Sequence, residues 1–235
     1  MIRNLSIIAG LAVAGAANAA FVGGEFRVNE AGSTALSGIQ GSAHTVFDLY
    51  LYFDEGDDVL NTIGDADISA GGASFFNDSF GGDHAMGINA GFFPLAPASE
   101  WDTYVGIGSA GPIYSGQGFG AVTPPDLFLT SSGVVGSWSA TPNAAIEFPG
   151  AVVDAGNGLW QAWAGRFTLV GDFGAEGPID QGFIFNSGIF EGQLEVFWND
   201  SPGGELFSAI VPIIPAPGAA ALFGLAGLAA ARRRR

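Results

Sequence analysis

Two clusters of carboxylates offer the first chemistry in this chain. "DEGDD" places Asp54, Glu55, Asp57 and Asp58 in one short run, and "GDADIS" adds Asp65, Asp67 and Ser69. Alternating oxygen side chains on a turn are how hard cations are held. Asp54, Asp57, Asp58, Asp65 and Asp67 therefore form a candidate calcium set, and calcium is the one cofactor the sequence suggests. The plain alternative is a solvated acidic turn. An EF-hand is excluded, because counting from Asp65 the sixth residue is Ala70 and the twelfth Phe76, where that loop needs Gly and Glu.

The other reactive types are sparse. There is no cysteine, so disulfides, thiolate nucleophiles and Cys-ligated zinc are excluded. Of the two histidines, His84 adjoins Asp83, and nothing in the spacing brings His44 to them. No GxSxG elbow occurs, which removes one route to a serine hydrolase. Paired acids for glycoside cleavage always exist among 23 carboxylates, but here they have no supporting motif. "GIGSAG", Gly106 to Gly111, matches GxGxxG and Asp126 follows. Pro112 comes next, however, and no helix start is available for a pyrophosphate. Tyr50 and Tyr52 alternate away from an apolar strand face and are candidates for stacking on a glycan. No catalytic residue emerges, and the expectation is a protein that is not an enzyme.

These residues must be positioned by a body of unusual charge. All seven basic residues are arginines, at positions 3, 27, 166 and 232 to 235. Between the terminal segments 23 acids face two arginines, a formal balance of −21. Such a surface repels a phosphate backbone, so nucleic acid is excluded as a partner. With 38 glycines, 20 phenylalanines and 5 tryptophans, the composition is that of short strands joined by tight turns.

Period-two segments supply those strands. "HTVFDLYLYF" puts Phe47, Leu49, Leu51 and Phe53 on one face, with Val46, Asp48, Tyr50 and Tyr52 on the other. "WDTYVGI" aligns Trp101, Thr103, Val105 and Ile107. "QAWAGRFTLV" sets Trp163, Phe167 and Leu169 opposite Arg166 and Thr168. "GQLEVFW" sets Leu194, Val196 and Trp198 opposite Glu195. "NDSFGGD", "GDFGAEG" and "NDSPGGE" read as turns. No stretch of the body shows a helical period. The expected fold is all-β, a two-sheet β-sandwich of jelly-roll or cohesin-like type over residues 20–211.

The two ends read as addresses. Arg3, the apolar stretch Leu5 to Ala16, and small Ala17 and Ala19 make a signal peptide over residues 1–19, cut by signal peptidase after Ala19. At the other end, residues 212–217 read as a proline-rich linker. Residues 218–231 read as a short apolar helix, and Arg232, Arg233, Arg234 and Arg235 as a basic cytoplasmic end. The unbroken apolar run from Ala219 spans about 20 Å as a helix, against about 30 Å of hydrocarbon. A chain exported from the front and held at the back pauses across the inner membrane.

The order Pro215-Ala216-Pro217, small-residue helix, four arginines resembles the PEP-CTERM sorting signal, with Ala216 where the motif has Glu. That resemblance implies export, processing by an exosortase-like enzyme, and a place at the cell surface or in an extracellular matrix rich in polysaccharide. "FDLYLYFDEGDDVLNTIGDADI", "WDTYVGIG" and "WAGRFTLVGDF" resemble the bodies of secreted PEP-CTERM proteins of the planctomycete type, which implies no activity. The leading expectation is an exported, non-enzymatic surface or matrix protein. The alternatives are a secreted glycan- or calcium-binding module and a secreted hydrolase.

Overall fold

Period-two segments become strands, and their apolar faces meet. The computed structural model describes residues 21–78, 90–112, 127–140, 147–173 and 185–215. In chain order they form β1 (Phe21–Val28), α1 (Glu30–Gln40), β2 (His44–Phe53), β3 (Val59–Ser69), β4 (Ser74–Phe75) and β5 (Tyr104–Gly108). There follow β6 (Phe128–Thr130), β7 (Gly133–Ser139), β8 (Val153–Asp154), β9 (Trp160–Val170), β10 (Phe185–Ser187), β11 (Glu191–Asn199) and β12 (Leu206–Pro215). The strands make two six-stranded sheets. Sheet A runs β1-β2-β9, and β8, β5 and β4 pair end to end along the far edge of β9. Sheet B runs β10-β12-β11-β3-β7-β6, antiparallel except for the short parallel pair β10–β12. Among the described residues no helix is long and apolar enough to cross a membrane.

One buried cluster draws on both sheets. Phe47, Leu49, Leu51 and Phe53 of β2 enter it, as do Val105 and Ile107, Phe167 and Leu169, and Leu194, Val196 and Trp198. Alternation thus set these inward faces correctly. Phe190 stacks on Phe26 at 4.1 Å and meets Phe47 edge-on at 5.1 Å. Trp138 of β7 donates its indole N–H across the core to the Ala164 carbonyl of β9, 3.0 Å away.

Four expectations change. The body does contain a helix, α1. Asn29 caps its start by accepting from the Gly32 N–H, and Gly41 ends it at φ 68°. A left-handed residue there is the usual place for glycine. The helix is glycine- and serine-rich with one deep apolar anchor, Leu36, so no periodic stripe announces it. Trp163 does not face Phe167's side. The β2–β9 register slips between Leu49–Gly165 and Tyr50–Trp163, leaving Ala164 as an extra residue. The bulge turns Trp163 to the face of Arg166. Trp101 belongs to a short 3-10 helix, Pro97–Trp101, packed on the outer side of sheet A. Finally, β12 continues through Pro212 to Pro215, with Ile213 buried. The stretch read as linker from 212 is sheet as far as Pro215. The proposed signal peptide and terminal helix lie outside the described residues.

Candidate functional site

The two arginines of the body organise the outer face of sheet A. Asp48 sits on β2, opposite Arg166 of β9 in the antiparallel register, so neighbouring strands bring them together from 118 residues apart. Arg166 grips the carboxylate as a fork, Nε to Oδ1 at 2.9 Å and Nη2 to Oδ2 at 3.2 Å. Trp163 donates its indole N–H to Oδ1 at 3.2 Å, and Asn29 donates its amide to Oδ2 at 2.9 Å. The remaining Arg166 nitrogen, Nη1, donates to the Glu100 carbonyl at 2.8 Å. The guanidinium also lies 5.0 Å from the Trp101 ring and 5.6 Å from Tyr104. Asp48 and Arg166 are 4% and 2% exposed.

Four donors engage both oxygens of this buried carboxylate. What it does is hold together the layer above the sheet. Asn29 joins the cap of α1 to Asp48, and Glu100 joins the 3-10 helix to Arg166. Gly32 matters at the contact of those two helices, since an added Cβ would run into the Trp101 ring.

Towards the edge of the same face the cluster opens. Arg27 of β1 donates to the Tyr52 hydroxyl at 2.6 Å and to Gln161 at 3.2 Å, and it lies 4.2 Å over the Tyr50 ring. Tyr52 in turn donates to Glu25 at 2.6 Å. Burial, with Glu25 as second cause, pushes the Tyr52 hydroxyl well above its ordinary pKa. Burial and then Asp48 push Tyr50 up as well. Both hydroxyls stay protonated through the physiological range. Tyr50 and Tyr52 do not form a glycan platform. They are 9% and 1% exposed, packed with Tyr104 and Trp163 under Val22, Ala155 and Leu159. Alternation gave their face; it could not show what covers that face.

The five candidate calcium residues are not brought together. Among the described residues no three His, Asp or Glu side chains stand where they could hold a metal ion. Asp65 and Asp67 lie exposed near the far end of β3 from the turn that holds Asp54, Asp57 and Asp58. Asp65 has φ 42° at a β3–β7 bulge. Asp58 differs from the rest. It is 0% exposed, and neither of its side-chain oxygens has a hydrogen-bond partner of good geometry. Burial, then the charge of Asp54, raise its carboxyl to about 7, and Glu55 and Asp200 add to the rise. The Glu55 backbone amide offsets this only in part.

His44 is a packed residue at the start of β2. Its Nδ1 lies 2.9 Å from the Ser42 carbonyl and its ring meets Phe76 edge-on. His84, Asp83 and Asp126 lie outside the described residues. So do Ala17, Ala19, Ala216, Pro217 and Arg232 to Arg235. Pro215, the first proline of the Pro-Ala-Pro stretch, ends β12. The Asp48–Arg166 pair escaped sequence reasoning, although one of only two arginines in an acidic body, set on an apolar strand, was a usable signal. No protein-family model, no curated protein and no solved structure matches this chain.

Proposed function

We propose that the chain is an exported, non-enzymatic β-sandwich, displayed at the cell surface or in the extracellular matrix after sorting by a PEP-CTERM-type C-terminal signal. The observation that carries this reading is the sequence of features at the tail: Pro215-Ala216-Pro217, the apolar run to Ala231, then four arginines on a chain otherwise rich in acids. The body is consistent with display rather than turnover. Its internal ion pair is fully engaged in clamping helices to a sheet, and its strand β12 runs directly into the sorting motif. Both sheets contribute to one core, which supports a two-sheet sandwich, and the jelly-roll or cohesin-like type is part of the proposal.

The arginines act as the stop. Drawing one through the bilayer centre costs on the order of 2.5–3.5 kcal/mol, and four in succession hold the end on the cytoplasmic side. The helix then sets Pro215-Ala216-Pro217 at the outer membrane surface, within reach of an exosortase-like enzyme. The test replaces Arg232 to Arg235 with Ser and follows the protein's size and location by fractionation. The expected result is continued export with loss of trimming. Normal trimming and sorting of the variant would end the stop-transfer reading. A wild-type protein that stays full length in the inner membrane would make the tail a plain anchor.

A further inference from the structure

The outer face of sheet B carries a groove of about 440 Å³ lined by Asn61, Thr62, Phe197, Asn199 and Leu206. Its floor follows from two local features. The β11–β3 register pairs Phe197 with Thr62 and Trp198 with Leu60, so Asn61 is the extra residue of a bulge. Asn61 and Thr62 are consecutive yet both half-exposed, where an unbroken strand would bury one of them. Beside them the Phe197 ring lies across Gly64, whose missing side chain leaves the space: an added Cβ would stand 2.7 Å from that ring. The edge of the ring, Cε2 foremost, thus fills the space over Gly64.

The polar groups around the ring are fixed in place. Asn61 donates its amide to the Asn199 carbonyl oxygen, and Asn199 donates to the Gly204 carbonyl. The Thr62 and Ser139 hydroxyls are 3.0 Å apart. The Asn61 side-chain oxygen and the remaining hydrogen-bonding capacity of the Thr62 hydroxyl are left for a ligand. All the polar groups lining the groove are uncharged, whereas Asp200 and Glu205 adjoin lining residues in sequence and Glu195 stands two residues before Phe197 on β11. Both described arginines lie on sheet A. An anion is repelled from such a rim. A ligand with an apolar ring face, many hydroxyls and no charge fits the lining.

We propose that this groove binds an uncharged polysaccharide chain, with one sugar face stacked on Phe197 and its hydroxyls bonded to Asn61 and Thr62. The proposal rests on the export reading for access to extracellular polymer, but its test does not depend on where the protein resides. The full chain, kept in solution by a detergent without a sugar headgroup, is run through native gels containing soluble glucan, mannan, galactan or xylan, with alginate as the anionic control. At least one neutral polymer should retard it, and alginate should not. Phe197→Leu keeps apolar bulk over Gly64 and removes the aromatic face, and it should weaken the apparent affinity about tenfold or more. Ile210→Thr, on the same face outside the groove, should bind as the parent does. If Phe197→Leu fails to fold by circular dichroism, Thr62→Val gives the same comparison. Absence of retardation by every neutral polymer overturns the proposal, as does undiminished binding by the folded groove variant. A dimer in sedimentation that Phe197→Leu dissolves would assign the groove to a second copy and also overturn it. Failure here leaves the sorting assay untouched, and failure of sorting leaves this binding assay interpretable.

Discussion

The two sheets turn the same kind of alternating sequence to opposite uses on their outer faces. Sheet A is covered: α1 and the 3-10 helix Pro97–Trp101 lie as a lid over Val46 and are tied to the Asp48–Arg166 pair, while Val22, Ala155 and Leu159 pack over Tyr52, Tyr104 and Trp163. Sheet B's outer face stays open, with Leu206, Ile210 and Ile214 of β12 and Val135 of β7 exposed. The difference comes from what each face must satisfy. A charge placed on a covered face needs several donors and tight packing, and once it has them it fixes everything it touches. An uncovered face makes no such demand, so its residues are free for recognition.

The largest effect should come from breaking the covered face at its centre. Arg166→Ala leaves Asp48 buried without its counter-charge, at a cost of about 3–5 kcal/mol. Chemical denaturation should show this, with loss of the near-ultraviolet signal of Trp101 and Trp163. Replacing both partners, Asp48→Leu with Arg166→Met, should recover much of the loss, because well-packed apolar pairs often match buried ion pairs. A fully stable Arg166→Ala variant would mean that the lid is decoration and that the two faces do not differ as argued.

A smaller effect is expected where the lid is pinned. Asn29→Ala removes the helix cap, worth about 1 kcal/mol, and a bond to buried Asp48, worth about 1 more. Asn29→Ser keeps a capping oxygen and loses the reach to Asp48, so it should fall between parent and Ala. Equal stability for Ser and parent would show that Asn29 serves the helix alone.

Much of the sheet framework was legible, and the reasons it was are physical. Phe47, Leu49, Leu51 and Phe53 alternate without interruption, and a strand that alternates cleanly has one register in which its apolar face is buried. Legibility failed wherever a one-residue slip or a distant cover decided the outcome. Ala164 is an extra residue in β9, and no pattern in "QAWAGRFTLV" marks it, so Trp163 changed sides. Tyr50 and Tyr52 were placed on the correct face, but their burial depends on residues from β1 and from the segment around Leu159. The helix α1 was hidden because Leu36 is its one large buried side chain, although Asn29 and Gly41 marked both ends. The contact of Phe197 with Gly64 needed the partner of β3 to be known, which only strand pairing supplies.

Asp58 lies on the turn that carries the chain from sheet A to sheet B, and it tests the contrast by pH. Its carboxyl is raised from 3.8 to about 7 in the folded protein. Between those values the native state keeps a proton that the unfolded chain releases. The stabilisation is whole below pH 4 and fades as pH rises through 7. Allowing for screening by the open acidic turn beside it, the loss is on the order of 1–2 kcal/mol. Asp58→Asn should remove this contribution, so the variant gains on the parent as pH rises from 4 to 8. A parent-minus-variant difference that stays flat, or that favours the parent at pH 8, would show that Asp58 is charged and partnered in solution. Calcium that restores the parent at pH 8 but not the variant would point to a cation at the turn instead.

The smallest effect belongs to the open face, and its smallness is the point. Ile210 is 66% exposed on β12, the most open of the large apolar residues on that strand. It returns little buried area on folding, so Ile210→Thr should change stability by no more than about 0.5 kcal/mol. Threonine keeps the β-branched shape that suits a strand, so any larger loss cannot be charged to local preference. If the variant loses several times that amount in a dilute, monomeric sample, the outer face of sheet B is covered after all, and the distinction between a locked face and a free one fails. If stability holds while solubility at high concentration rises, the exposed row on β12 is a surface that two molecules find by default. The groove at Phe197 and Leu206 would then have to be kept clear of self-contact for a polysaccharide to reach it.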